Sequence, residues 1–226
     1  MHPRSIAAAL VLSSVCGAAV GTGGGDPETA ALKEARISIE YSAAADEGAL
    51  VVSAESETGL DQVELRDPSG NRVLGLATSG RGRNPALFGF ELEAGESAPA
   101  ALLQAYPEGA YQIRARTPEG RLAIGTAVLS HRLPSAPRIL VPQDGDVVYA
   151  RAAMRIAWVP DPLAAEYRVN LEQGETDRMS ARLAAGTGSF EVPDGVLQSG
   201  RRYRLEIGAV GPEGNVTISE ALFVAR

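Results

Sequence analysis

The sequence predicts an all-β protein made of two β-sandwiches in tandem, with one short helix in the first. Apolar residues alternate with polar ones over many short segments, and this period of two is the pattern of a half-buried strand. The 226 residues include 25 Gly and 14 Pro, which favours short strands joined by turns. A hydrophobic fraction of 45% suits globular cores, and the length suits one or two domains.

A secretory signal is predicted over residues 1–20. Arg4 precedes an apolar run from Ile6 to Val15, and small residues follow this run. The run is too short to span a membrane. We therefore expect an exported protein, periplasmic or extracellular, in which residues 21–34 form a flexible tether.

Cys16 is the single cysteine of the chain. A lipid anchor at Cys16 is the alternative to simple cleavage, but Val15 stands where bacterial lipoprotein signals carry a small residue, which argues against it. An exported chain with one cysteine cannot form an internal disulfide, so packing alone must hold its modules together.

The first sandwich is predicted over residues 35–131. Pro68 and Gly70 are typical of a turn, which we place at residues 67–71. Apolar and polar residues alternate, or form short apolar runs, in predicted strands at residues 37–41, 50–52, 63–65, 72–76 and 88–92.

One helix is predicted between the last of these strands and Pro107. Ser97 is expected to cap it, and Pro99 suits its first turn. Leu102 and Tyr106 are spaced so that they share one face of the helix.

The sequence pattern at the end of the first sandwich is repeated near the end of the chain. Tyr111 opens an alternating strand that leads into a Pro-Glu-Gly turn and a return strand, and Tyr203 does the same. We therefore interpret the first module as an immunoglobulin-like sandwich with Tyr111 in its core.

A proline-rich linker is predicted at residues 132–137. Pro134 and Pro137 restrict their own backbone and that of the residues before them. We expect the two sandwiches to sit end to end with restricted flexibility.

The second sandwich is predicted over residues 138–226. Pro160 and Pro162 exclude a helix or central strand between its early strands. Large apolar residues with strand spacing are expected to form its core, with Trp158, Tyr167, Leu197 and Tyr203 as the principal members.

These residues resemble the fibronectin type III domains over roughly residues 135–226. Trp158 stands where that family has its strand-B tryptophan and Tyr167 where it has its strand-C tyrosine. Leu197 and Tyr203 match its leucine and its tyrosine corner, in which the Tyr hydroxyl bonds nearby backbone. The whole arrangement resembles uncharacterised two-module secreted bacterial proteins, and this resemblance implies no activity.

No catalytic, cofactor-binding or metal site is predicted. His131 is the only histidine outside the signal and has no carboxylate or nucleophile placed near it by the sequence. Asp144 and Asp146 lack the spacing of a calcium loop and suggest a turn. Arg81 and Arg83 are interpreted as a solvated loop. A net charge of −7 disfavours nucleic acid as a partner.

The leading functional prediction is a non-catalytic exported binding or spacer protein, which contacts another envelope or extracellular protein through loops and sheet edges. One alternative is a carbohydrate-binding accessory or a hydrolase that uses surface carboxylates. Another is a periplasmic immunoglobulin-like chaperone, which would lend an apolar strand at the end of the first sandwich. Gly125 and Thr126 interrupt that run.

Overall fold

The computed structural model describes residues 29–77, 87–150 and 153–226, in which the chain forms sixteen strands and one helix. The signal predicted at residues 1–20, Cys16, Arg81 and Arg83 lie outside the described residues. The elements are β1 (Thr29–Ala31), β2 (Glu34–Ser42), β3 (Glu47–Leu60), β4 (Gln62–Arg66), β5 (Arg72–Ala77), β6 (Leu87–Ser97), α1 (Pro99–Ala105), β7 (Gly109–Arg116), β8 (Leu122–Leu129), β9 (Arg138–Val141), β10 (Val147–Val148), β11 (Met154–Val159), β12 (Glu166–Gln173), β13 (Thr176–Ala184), β14 (Ser189–Val192), β15 (Arg202–Val210) and β16 (Val216–Ala225).

The first module encloses a hydrophobic core between two layers. One layer is the sheet β1-β8-β7-β4-β5, and the other consists of β2, β3 and β6. Inward residues of both layers form the core, among them Ile39, Leu50, Leu65, Tyr111 and Ile113. The alternation seen in the sequence is therefore the alternation between this core and the outer faces.

The remaining strands, which we call the second module, also form two layers. One layer is β14-β11-β9, and the other contains β13, β12, β15 and β16 in that order. A separate hydrophobic core between them includes Trp158, Tyr167, Leu197 and Tyr203. Rings of Trp158 and Tyr167 meet in a tilted contact with centroids 5.4 Å apart. The all-β prediction with one short helix is confirmed.

Both modules contain a tyrosine corner. The hydroxyl of Tyr203 accepts a hydrogen bond of 2.7 Å from the backbone N–H of Gln198. The hydroxyl of Tyr111 donates to the carbonyl oxygen of Pro107 at 2.9 Å. The corner that the resemblance implied for the second module is thus present in the first as well.

The repeated turn has the same hydrogen bonds in both modules. Gly211 N–H donates to the Asn215 carbonyl at 2.8 Å, and Thr117 N–H donates to the Arg121 carbonyl at 2.9 Å. Gly214 and Gly120, its counterpart in the first module, have positive φ angles of 93° and 82°. Residues with an L side chain rarely adopt such angles. The turn chemistry explains why the motif recurs with glycine at this position.

The helix forms where it was predicted, but its cap differs. Ala98 occupies the N-cap without any side-chain hydrogen bond. Ser97 belongs to β6, and its hydroxyl donates to the Gly95 carbonyl at 3.0 Å. Ser97 as the cap is therefore wrong, because the strand continues to this residue and leaves Pro99 to start the helix.

The predicted tether at residues 21–34 reaches too far along the chain. Residues 29–31 form β1, which pairs in parallel with β8, and Glu34 already belongs to β2. Backbone pairing requires no apolar pattern, so small residues gave no signal for it. Gly125 of β8 lets β2 pack closely against β8, because a Cβ there would lie 2.7 Å from the Cβ of Ala35 in β2.

Candidate functional site

The two modules are joined by backbone pairing between β2 and β16. These strands run in parallel for three residue pairs, Val216 with Glu40, Thr217 with Tyr41 and Ile218 with Ser42. One continuous sheet therefore crosses both modules in the order β13-β12-β15-β16-β2-β3-β6. The sequence predicted a connection made by the proline-rich linker and did not anticipate this lateral overlap.

Asn215 is a buried polar bridge between the modules. Its Oδ1 accepts a hydrogen bond of 2.8 Å from the Ile39 N–H of β2. Its Nδ2 donates to the carbonyl oxygens of Ser130, at 2.8 Å, and Arg132, at 3.0 Å. The side chain is 1% exposed, so each of these bonds replaces a contact with water that burial has removed.

The linker is bonded along its length rather than free. Thr217 Oγ1 donates to the Pro134 carbonyl at 2.7 Å. Ser135 N–H donates to Oδ2 of Asp161 at 2.5 Å, and Asp161 stands between the two prolines that separate β11 from β12. The segment predicted as a proline-rich linker is thus held by the second module.

A groove of about 1240 Å³ lies over the outer face of the continuous sheet, and both modules contribute to it. It is lined by β2, β3 and β6 of the first module and by β12, β13, β15 and β16 of the second. We call it the junction groove, and its lining includes Glu40, Phe88, Glu91, Arg168 and Glu206.

Glu40 is the most unusual side chain of the junction groove. It lies on β2 opposite Val216 and is 9% exposed. Among the described residues, no hydrogen bond or ion pair reaches its carboxylate. Burial raises the pKa of Glu40, Arg168 lowers it and Glu91 raises it further. A largely buried carboxyl that makes no hydrogen bond or ion pair with the described residues does not stabilise the fold.

The cations of the groove are already neutralised by glutamates of the same surface. The ion pairs are Lys33 with Glu55, Arg36 with Glu34, and both Arg168 and Arg182 with Glu166. Glu57 and Glu91, like Glu40, make no ion pair with any residue in the described ranges. The groove therefore retains uncompensated negative charge.

Two further carboxyls on this sheet have strongly raised pKa values. Burial raises the pKa of Glu206 to about 7, with repulsion from Glu172 and Glu220 adding to the effect and Arg204 opposing it. Glu220 stands directly across from Glu206 in the β15–β16 pair. Protonation near neutrality relieves this repulsion.

Glu93 of β6 behaves in the same way. Its Oε1 is buried without a hydrogen-bond partner in the described part of the chain. Burial and the nearby carboxylates Glu40, Glu96 and Glu91 raise the pKa of Glu93 to about 7. A carboxyl that keeps its proton near neutrality can donate a hydrogen bond or a proton.

The residues considered as candidate sites in the sequence make hydrogen bonds within the fold. His131 Nε2 lies 2.8 Å from the Tyr106 carbonyl oxygen, and its backbone N–H donates to Glu108 Oε1 at 2.6 Å. Asp144 and Asp146 accept backbone hydrogen bonds of 2.7 Å each around a turn. In the described ranges, no group of three or more His, Cys, Asp or Glu residues is arranged to hold a metal ion.

Sequence reasoning missed Asn215 and Glu40. Asn215 looked like an ordinary turn residue after Gly214, and Glu40 looked like an outward residue between Ile39 and Tyr41. Nothing local distinguishes either of them, because their burial depends on strands that are far away in the chain.

None of the helices described is long and apolar enough to cross a membrane.

No family model matches the sequence, and no curated protein is significantly similar to it. Solved structures do resemble it. These neighbours are fibronectin III-like modules. The modules of Clostridium thermocellum CbhA are 12% identical, with 86% of this chain and 93% of that chain covered and a TM-score of 0.36. A Fn3-like protein from Clostridium thermocellum is 19% identical, with 41% and 94% covered and a TM-score of 0.30.

A third similar structure contains the FN1–FN3 domains of chicken CNTN1. It is 11% identical, with 88% of this chain and 65% of that chain covered and a TM-score of 0.34. Superposition is loose in all three cases. The fold is defined by its strand order and its two hydrophobic cores.

Proposed function

We propose that the protein is a non-catalytic, exported binding or spacer protein whose two β-sandwich modules act as one rigid unit in the cell envelope. The β2–β16 pairing, locked by Asn215, supports this proposal most directly. A flexible string of modules would need no buried polar bridge between them. A locked pair holds the loops and outer faces of both modules at a fixed spacing, which suits a surface that binds or separates other proteins.

The chaperone alternative is disfavoured by the surroundings of β8. That function requires the closing strand of the first module to be available for a client strand. Here β8 pairs with β7 along its length and with β1 over residues 122–124. Gly125 packs closely against Leu32 and Ala35, where an added Cβ would lie 2.9 Å or less from either side chain.

The hydrolase or carbohydrate-binding alternative draws support from Glu93 and Glu206, because a general acid needs a pKa near neutrality. The purified mature protein should be screened against glycosides and glycan arrays. We expect neither turnover nor glycan binding. Turnover that is lost in Glu93→Gln or Glu206→Gln would contradict the non-catalytic proposal.

Capture of the partner tests the proposal itself. Lys33 is the only lysine, so amine-directed crosslinkers would work poorly. Photo-reactive residues should instead replace Ser69, Glu119 and Asp194, which lie in exposed turns. In the native envelope we expect one protein to be captured reproducibly. Crosslinks no different from those of an unrelated exported sandwich protein would contradict a binding role.

A further inference from the structure

We infer that the junction groove binds a lysine- or arginine-bearing polypeptide segment of a partner protein, with the Glu40 carboxylate receiving a cationic side chain. The inference rests on the proposed binding function and names the chemistry of the partner surface.

Glu40 is a largely buried carboxyl in the lining of the junction groove. The residue is 9% exposed and lines the groove, yet its carboxylate receives no hydrogen bond or ion pair from any described residue. Such a group is unfavourable in the free protein unless a donor satisfies it. An ammonium or guanidinium group supplies both the donors and the opposite charge.

The groups around Glu40 leave its surroundings negatively charged. Arg168 is the cation that acts on it, and Arg168 is already paired with Glu166 at 3.5 Å. Glu91 and Glu93 face it from β6 and are not neutralised by ion pairs within the described ranges. A cation that enters the groove therefore meets an attractive field rather than competing for occupied acids.

The size of the groove indicates a polypeptide rather than a small amine. Seven neighbouring strands, from β6 to β13, contribute to the sheet beneath it. At about 4.8 Å between strands this is a distance of roughly 30 Å, which an extended peptide of about nine residues would span. Phe88 also lines the groove and is 62% exposed, so it offers an aromatic surface to the aliphatic stem or charge of Lys or Arg.

The test is a titration of the mature protein with an oligolysine peptide at about pH 8 and physiological ionic strength, followed by calorimetry. We expect binding that weakens about tenfold or more in Glu40→Gln. Glu191→Gln is the matched control, because it removes the same charge from an exposed position on β14. We expect that control to retain the native affinity.

Thermal unfolding separates lost binding from misfolding. Replacing a largely buried carboxylate that makes no ion pair by a neutral amide should leave the unfolding temperature unchanged or raise it. Binding should also strengthen as the pH rises from about 5 to about 8, because the pKa values of Glu40 and Glu93 are raised and both carboxyls must be ionised to attract the peptide.

Three results of the titration would overturn the inference. They are absence of peptide binding, equal weakening by Glu40→Gln and Glu191→Gln, and binding of spermine as tight as that of the peptide. A captured envelope partner whose contact surface is not basic would overturn it too, while leaving the proposed binding function standing.

Discussion

Asn215 connects the two modules through one buried amide, with bonds to Ile39, Ser130 and Arg132. Asn215→Ala leaves a buried N–H and two buried carbonyls without their partner, so we expect a loss of about 2–4 kcal/mol in the free energy of unfolding. Chemical denaturation measures it. Asn71→Ala is the control, because that exposed turn residue bonds only to Asp67 and should cost less than about 1 kcal/mol.

The tyrosine corners make a second prediction for single residues. Tyr111→Phe removes the hydroxyl that bonds the Pro107 carbonyl at 2.9 Å, and we expect a cost of about 1–2 kcal/mol by urea denaturation. Burial raises the pKa of Tyr111 to about 12, with repulsion from Asp67 as a further cause. The Tyr149→Phe control concerns a side chain that is 72% exposed. Equal stability of all three proteins would show that the corner contributes nothing.

At the scale of the strand, β15 is predicted to make stability dependent on pH. The pKa of Glu206 is about 7 in the folded protein and near its ordinary value when unfolded. Between about pH 4.5 and 7 the folded state holds a proton that the unfolded state releases, so stability must fall as the pH rises. Loss of the proton costs up to roughly 3 kcal/mol.

Urea denaturation at about pH 5 and pH 8 measures this dependence. Glu206→Gln should be more stable than the native protein at the higher pH and similar to it at the lower pH. Part of the dependence should remain in this variant, because the pKa of Glu93 is also raised to about 7. A native protein more stable at about pH 8 than at about pH 5 would contradict the prediction.

Elements with regular alternation around large apolar residues could be predicted from sequence, as with β11, β12, β15 and β16. The missed strands show that signal weakly or not at all. In β13, Met179, Ala181 and Leu183 alternate, but the charged residues between and around them obscured the pattern. β1 and β10 contain three and two residues, and so short a strand has no measurable period.

Pairing between modules could not be predicted for a different reason. Glu40 and Val216 are far apart in sequence, and a parallel pair is made by backbone groups that any residue carries. The groove could not be predicted for the same reason, since its lining residues come from both modules. The predicted module boundaries at residues 131 and 138 remain predictions.

For the whole molecule, the two separate cores predict that each module can fold alone. Fragments 29–131 and 132–226 should both give circular dichroism of the β type. The second fragment should associate more readily than the full chain, because removal of β2 exposes backbone groups at the start of β16. Sedimentation at increasing concentration measures the association. A fragment that stays unfolded would show that one core depends on the other.

The proposed rigidity of the junction is tested most directly by the distance between the modules in solution. Glu119→Cys and Asp194→Cys place spin labels on exposed turns, one in each module, and pulsed electron spin resonance then measures the distribution of distances. We expect one narrow peak in this protein and a broadened distribution when Asn215→Ala is added. A broad distribution in the protein with Asn215 intact would contradict a locked pair of modules.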